Sequence, residues 1–475
     1  MEPEVPGAPV HRTLAPSTIA FVAASKDAVP LVPLRPGGLD RWLDGQPSRI
    51  AAWLRRMDFR AAAGTWQAVP AVDGDVAMVV AGVGEAPDLW SLAALPGLLP
   101  SGMELVLEDT AGLDAAQVAL GWALGCYRFD RYRPAGRAPA RLVWPAEKHG
   151  TAVAAMADAV AMARDLINTP AEDMGPADLV AAAAEVARSG GAETIAIVGD
   201  NLLEGYACVH IVGRASSRVP RVVEFSWGDA GAPRVTLVGK GVCFDTGGLD
   251  LKTAAWMERM KKDMGGAACV LAVARLVIEA ALPVRLRVIV PAVDNAVDGN
   301  AYRPMDIVTA RNGTKIEVGD TDAEGRVILA DALCAASEGN PDLLIDMATL
   351  TGDARTALGP DLPAVLSSSD DLAAELVAAG NAVCDPLWPM PIWKPYAARM
   401  NSDLADINTI ADWDFADHIH AALFLQRFVG ENTPWLHIDT ACWNLKDKPG
   451  RPKGGEAMGA RAVFELLRRR YGGQS

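Results

Sequence analysis

The chain of 475 residues is 51% hydrophobic and 22% charged; that balance excludes a disordered polymer, and the length exceeds one ordinary core, so two domains are expected. A formal net charge of −15 repels a phosphate backbone, and without a basic patch nothing argues for nucleic-acid binding. The longest apolar region, residues 270–293, is broken by Arg275, Glu279, Pro283, Arg285 and Arg287, so no segment qualifies as a membrane span.

The amino terminus, MEPEVPGAPVHRTLAP, carries acids and prolines with no basic or apolar stretch, and it does not read as a signal peptide. Residues 76–84 and 103–109 are predicted strands; residues 114–129 and 150–168 are predicted helices. The segment NTPAEDMGPADL (168–179) then brings two prolines, a glycine and cap residues, and Pro176 before Asp178 suits a new helix start. The domain boundary is placed here, giving residues 1–165 and 166–475, with helix 150–168 as the linker. Strands follow at 193–200, 221–227 and 234–242, then a long helix from about Trp256 to Ala281. Residues 284–294 form a further strand, a helix starts near Val327, and DLLIDMATLTG (342–352) is a strand running into a turn. Strands alternating with helices predict an α/β architecture of two domains: a smaller N-terminal one and a larger C-terminal one with a helix-flanked mixed sheet. The seven cysteines include no CxxC pair, so reduced, buried thiols of a cytoplasmic protein are expected.

Open α/β sheets hold their ligands at the carboxyl ends of strands. The ionisable residues there are Lys240, Asp245 and Lys252 in GKGVCFDTGGLDLK, Asp263 in MKKDMGGAA, and Asp322, Glu324 and Arg326 in VGDTDAEGRVILADAL. The last three occupy every second position. In extended chain they would share a face, whereas on a helix Asp322 and Glu324 would lie about 200° apart. A strand end or loop is therefore expected. Four carboxylates do not gather without cations. Either the lysines and arginine neutralise them as a structural network, or divalent metals do, two bridged ions needing about four or five hard oxygen donors. The cluster has no histidine, which excludes an HExxH zinc site. His418 and His420 lie two apart on an apparent helix and read as packing or surface residues. VGKGV lacks the spacing of a phosphate loop, and Gly247 and Gly248 can serve simply as positive-φ turn residues. The arginines of LLRRRY read as solvated helix-end charges.

NTPAEDMGP, VGKGVCFDTGGLDLK, MKKDMGGAA, NAYRPMDIVTARNGTKIEVGDTDAEGR and DMATLTGD together resemble the leucyl aminopeptidase family of dinuclear metallopeptidases, in order and spacing, over about residues 160 to 475. The resemblance implies release of N-terminal amino acids, leucine-like and others, from peptides with a free N-terminus. It implies two divalent ions, manganese or zinc foremost, with Asp245 and Glu324 bridging both. Lys240 and Asp263 would complete the tight site, which requires an unprotonated Lys240, and Asp322 the exchangeable one. Lys252 would stabilise the oxyanion, and Arg326 would hold a bicarbonate ion acting as general base towards a metal-bridging hydroxide. Met260, Thr349, Gly352 and Ala441 would line the substrate pocket. A cytosolic homohexamer is implied as well. Three positions depart from the family pattern: Asp320 for Asn, Thr246 for Ser, and Asn444 where an apolar pocket residue is common. The competing readings are a DNA-binding regulator, a metal-dependent phosphoryl-transfer enzyme and a catalytically inactive homologue.

Overall fold

The computed structural model describes residues 15–473 apart from 24, 109–110, 113, 135 and 145–149. The start of the chain and Asp109, the end of one predicted strand, lie outside the described residues. The chain divides into two compact units, Arg12–Ala161 with Lys446–Lys453, and Met162–Leu445 with Gly454–Ser475. The division falls within the helix Gly150–Asn168.

The N-terminal unit carries a six-stranded sheet in the order Phe21–Val22, Arg141–Val143, Glu104–Leu107, Val29–Leu34, Val76–Gly82, Trp66–Pro70. All its pairings are parallel except the last. Leu31, Val79, Leu105, Trp122 and Leu142 fill its core.

The larger unit is built on a nine-stranded mixed sheet. Its order is Trp388–Pro389, Ala364–Ser367, Trp435–Asp439, Leu343–Ala348, Arg234–Gly239, Arg285–Asn295, Arg221–Trp227, Thr194–Val198. Gly241–Asp245 pairs with the far end of Arg285–Asn295. The central strands Trp435–Asp439, Leu343–Ala348, Arg234–Gly239 and Arg285–Asn295 are mutually parallel. Leu343–Ala348 is buried at every position, the mark of a parallel strand covered on both faces. The helices Gly265–Glu279 and Glu324–Glu338 pack on Arg234–Gly239. Their starts reach the carboxyl ends of the central strands. The architecture is the mixed α/β one that the alternation predicts.

Two elements differ from expectation. The single helix 256–281 is three pieces: Ala254–Met257, a 3₁₀ turn Met260–Lys262, and Gly265–Glu279. The last piece starts against the sheet. A Cβ on Gly266 would lie 2.1 Å from the carbonyl oxygen of Met347, so the helix start presses directly on strand backbone. Residues 321–326 are not extended either: Thr321–Ala323 is a 3₁₀ turn and Glu324 opens the next helix.

Candidate metal centre and substrate cleft

Lys240 follows strand Arg234–Gly239. Its N–H donates to Met347 O at 3.0 Å and its carbonyl accepts from Ala267 N at 2.9 Å, which ties two strand ends to one helix start. Its side chain is buried, with Nζ 2.9 Å from Asp263 Oδ2 and 2.8 Å from Glu324 Oε1, and it donates to Thr349 O at 3.0 Å. Asp263 reaches this point because it sits just before the Gly265 helix. Glu324 reaches it as the first residue of its own helix.

Asp245 ends its strand, and Asn295 ends the strand beside it. Asn295 Nδ2 donates to Asp245 Oδ1 at 2.9 Å and to Thr321 O at 3.0 Å. The Gly247 N–H donates to the same carboxylate oxygen at 2.9 Å, with φ at 89°, so this glycine serves both the turn and the acid before it. Lys252 Nζ lies 2.8 Å from Asp245 Oδ2 and touches Asp322 Oδ1. Asp245, Asp322 and Glu324 each offer an oxygen within 4.8 Å of the others.

Charge bookkeeping tests whether cations belong here. Among the described residues, Asp245, Asp263, Asp322 and Glu324 form ion pairs with only two ammonium groups, Lys240 and Lys252, so the ion-paired cluster would carry a surplus of two negative charges, which the charge of Lys262 beside Asp263 offsets in part. Burial and the neighbouring Asp245 push Asp322 up to about 7 and Glu324 well above its ordinary value. Glu324 Oε2 is buried without a hydrogen-bond donor. Oxygen-rich, under-compensated carboxylates of this kind suit hard divalent ions. Burial alone would lower the pKa of Lys240, yet Asp263, Glu324 and Asp245 together raise it above an ordinary lysine. As the side chains stand, Lys240 is therefore held protonated, the reverse of the state that ligation requires.

The groups open into a cleft of about 570 Å³. Lys240, Asp245, Lys252, Asp263, Asp322, Glu324 and Arg326 line it together with Met260, Thr349, Gly352 and Ala441. Arg326 stands apart from the carboxylate cluster: its NH1 donates to Thr409 O and its NH2 to Asp417 Oδ1, each at 2.7 Å. Every-second-residue spacing thus brings Asp322 and Glu324 together through a turn entering a helix, while the third group faces another partner. Asp320 accepts the Asp322 N–H at 2.7 Å, and burial raises its pKa. Asn444 is buried and donates to Glu456 Oε2 at 2.8 Å, so its side chain serves a polar contact rather than an apolar pocket. His420 lines the cleft against Trp413, whose Nε1 donates to His420 Nε2 at 3.2 Å.

Sequence reasoning missed Asn295, Thr321 and Asp417. An amide at a strand's carboxyl end was a usable signal for Asn295. Thr321, whose hydroxyl donates to Gly247 O at 2.6 Å, and Asp417, which is 91 positions from Arg326, gave no local one.

The fold is α/β, and its carboxylate–lysine centre fits divalent cations. Residues 161–464 match the model of the cytosol aminopeptidase family, catalytic domain, and residues 29–145 that of the M17 aminopeptidase, N-terminal domain. The chain belongs to the cytosol aminopeptidase family, a family of metal-dependent aminopeptidases acting on peptides. It is 36% identical over 421 residues to a probable cytosol aminopeptidase of Nocardia farcinica, covering 84% of this chain and 83% of that one. The crystal structure of a cytosol aminopeptidase from Coxiella burnetii superposes with a TM-score of 0.91 at 43% identity, over 95% of this chain and 99% of that one. The bottromycin maturation enzyme BotP in complex with Mn gives a TM-score of 0.83 at 33% identity, over 94% and 100%.

Proposed function

We infer that the protein releases N-terminal amino acids, leucine-like and others, from peptides, using two divalent ions held at the strand ends of residues 166–475, with residues 1–165 as a separate domain. The observation carrying this is the under-compensated carboxylate cluster beside two lysines in a cleft of the family's catalytic domain. Asp245, Glu324, Asp322, Asp263 and Lys240 would hold the two ions. Lys240 would give up its proton as the cation enters, since only the free amine has a lone pair. Manganese fits an oxygen-rich site, as does zinc. When bound, the ions supply Lewis-acid activation of water and of the scissile carbonyl.

The chain's own groups do the rest. Lys252, standing beside Asp245 and Asp322, would donate to the oxyanion that develops on the carbonyl oxygen. Arg326 would hold the anionic base, bicarbonate by family likeness. Met260, Thr349, Gly352 and Ala441 would seat the N-terminal side chain and the peptide path. A cytoplasmic homohexamer follows from the same likeness.

The test is leucine release from leucyl-amide after chelator treatment, with and without added Mn²⁺, beside Asp322→Ala. Recovery in the wild type and none in the variant supports this reading. Inactivity of metal-loaded wild type on a panel of aminoacyl amides, with turnover of phosphoesters, would replace it with phosphoryl transfer.

A further inference from the structure

The cleft that gathers carboxylates also holds two cations with no anion of their own. Lys262 and Arg355 line it beside Met260 and Gly352. Lys262 is only 8% exposed and precedes Asp263, whose carboxylate is taken by Lys240 Nζ at 2.9 Å and by the Thr349 hydroxyl at 2.7 Å. Arg355 lies three positions beyond Gly352 on the helix Gly352–Leu358, its guanidinium 4.8 Å from the centre of the Trp256 ring. Among the described residues, neither side chain takes part in an ion pair or a hydrogen bond. Burial makes the Lys262 charge costly, Lys240 and Arg355 add repulsion, and Asp263 offsets part of it. Two neighbouring cations in such a place are relieved when an anion joins them. Both also border a recess of about 340 Å³ next to Trp256 and Met260, with no carboxylate in its described wall. The other acids of the cleft do not serve them. Asp250 accepts from the Thr321 N–H at 2.9 Å, Asp320 from the Asp322 N–H at 2.7 Å and Asp417 from Arg326 NH2 at 2.7 Å, and Asp414 pairs with neither cation.

Position then decides which anion fits. Lys262 stands on the same 3₁₀ turn as Met260, and Arg355 on the same helix as Gly352, the residues proposed to seat the N-terminal side chain. A Cβ on Gly352 would lie 3.8 Å from the Trp256 ring, so that seat and the stacked arginine adjoin. We propose that Lys262 and Arg355 bind the side-chain carboxylate of an N-terminal aspartate or glutamate, making peptides that begin with an acidic residue substrates alongside the leucine-like ones. The ammonium and the guanidinium would donate to the carboxylate oxygens, and Met260 and Trp256 would cover the methylenes. This rests on the aminopeptidase reading and on the seat it assigns. The plainer alternative is that Lys262 only tempers the negative charge of the centre, while Arg355 is a solvated cation stacked on an indole.

The experiment compares kcat/KM of the Mn²⁺-loaded full chain on the α-amides of glutamate, glutamine and leucine. Glutamine has the shape of glutamate without its charge, so the ratio of the first two isolates the carboxylate. Wild type should favour glutamate about 10- to 100-fold, the weight of a hydrogen bond to a charged group, chiefly through KM. Lys262→Met and Arg355→Met should each lower that ratio about 10-fold, and Arg355→Glu should bring it below one by repulsion. A wild-type ratio near one, with leucyl-amide cleaved, overturns the proposal and leaves the aminopeptidase reading standing. An unchanged ratio in both Met variants overturns it as well. So does a preference for leucylglycine over leucylglycine amide that both variants abolish, because the cations would then hold the peptide's carboxyl end. If Lys262→Met does not fold, Arg355→Met decides. A metal-loaded wild type that cleaves no aminoacyl amide sinks the aminopeptidase reading and this proposal with it.

Discussion

Asn295 shows how much of a metal centre lies outside its ligands. Its two donated bonds orient Asp245 and fix the backbone at Thr321, one residue before Asp322. Removing them in Asn295→Ala should weaken Mn²⁺ binding about 10- to 100-fold, the usual effect of losing a partner that orients a ligand. A competition titration against a chelator measures this, and unchanged affinity would deny Asn295 its orienting role. Lys252 makes the complementary case. Lys252→Met keeps most of the aliphatic stem but removes the charge, so kcat on leucyl-amide should fall about 100- to 1000-fold. Near-normal kcat in a metal-loaded variant would mean that the lysine only balances Asp245 and Asp322. The charged residues themselves were legible because their types and spacings are distinctive. Asn295 and Asp417 were not, because each acts through a partner distant in sequence, 50 positions away for Asp245 and 91 for Arg326.

Among elements, the start of the helix Gly265–Glu279 decides the site. Small residues let its first turn rest on the ends of strands Arg234–Gly239 and Leu343–Ala348, and that contact delivers Asp263 to Lys240. A Cβ on Gly239 would come within 2.5 Å of Ala267 Cα, matching the tight fit at Gly266. Gly266→Ala should therefore cost at least about 1–3 kcal/mol through overpacking and lower Mn²⁺ affinity by displacing Asp263. Thermal melts of apo- and metal-loaded protein check both effects, and a melting point equal to wild type would show that the helix start can shift freely. The strand at 221–227 could be read in the sequence because its β-branched and aromatic residues lie between turn signals; the strand expected at 234–242 is instead two, Arg234–Gly239 and Gly241–Asp245, parted at Lys240. The break in the helix after Trp256 could not be read. Its residues have no proline, and the close fit of Gly266 on strand backbone just after it is a tertiary contact.

Across the molecule, the sheet interior carries a buried ion pair, His437 Nδ1 to Asp346 Oδ1 at 2.6 Å, between adjacent parallel strands. Burial alone would lower the histidine's pKa, but Asp346 raises it above the usual 6.5. A raised folded-state pKa means that the pair's stabilisation is full below 6.5 and is lost as pH rises through the folded value. The urea midpoint of wild type should accordingly exceed that of His437→Gln by most at or below pH 6.5, with the gap narrowing above it. A gap that widens with rising pH would show that the histidine is neutral when folded. Neither partner could be paired from sequence, being 91 positions apart; Asp346 lies in a run read simply as strand, and the strand of His437, Trp435–Asp439, was not read at all. The acidic balance of the chain has a local meaning too: part of the negative charge is concentrated where divalent cations would neutralise it.

Alternating apolar strands and alanine-rich helices determined the α/β class, because the periods of the two elements leave different marks in a sequence. Acids and lysines behind strand-like runs likewise pointed to the cleft, since a sheet's carboxyl ends converge whatever the loops do. Tertiary structure alone decided how those groups meet. Asp322 and Glu324 come together through a turn entering a helix rather than along a strand, Asp263 depends on glycines that fit against strand backbone, and Arg326 turns to Asp417. Each of those outcomes depends on packing between residues far apart in the chain, which local propensity does not encode.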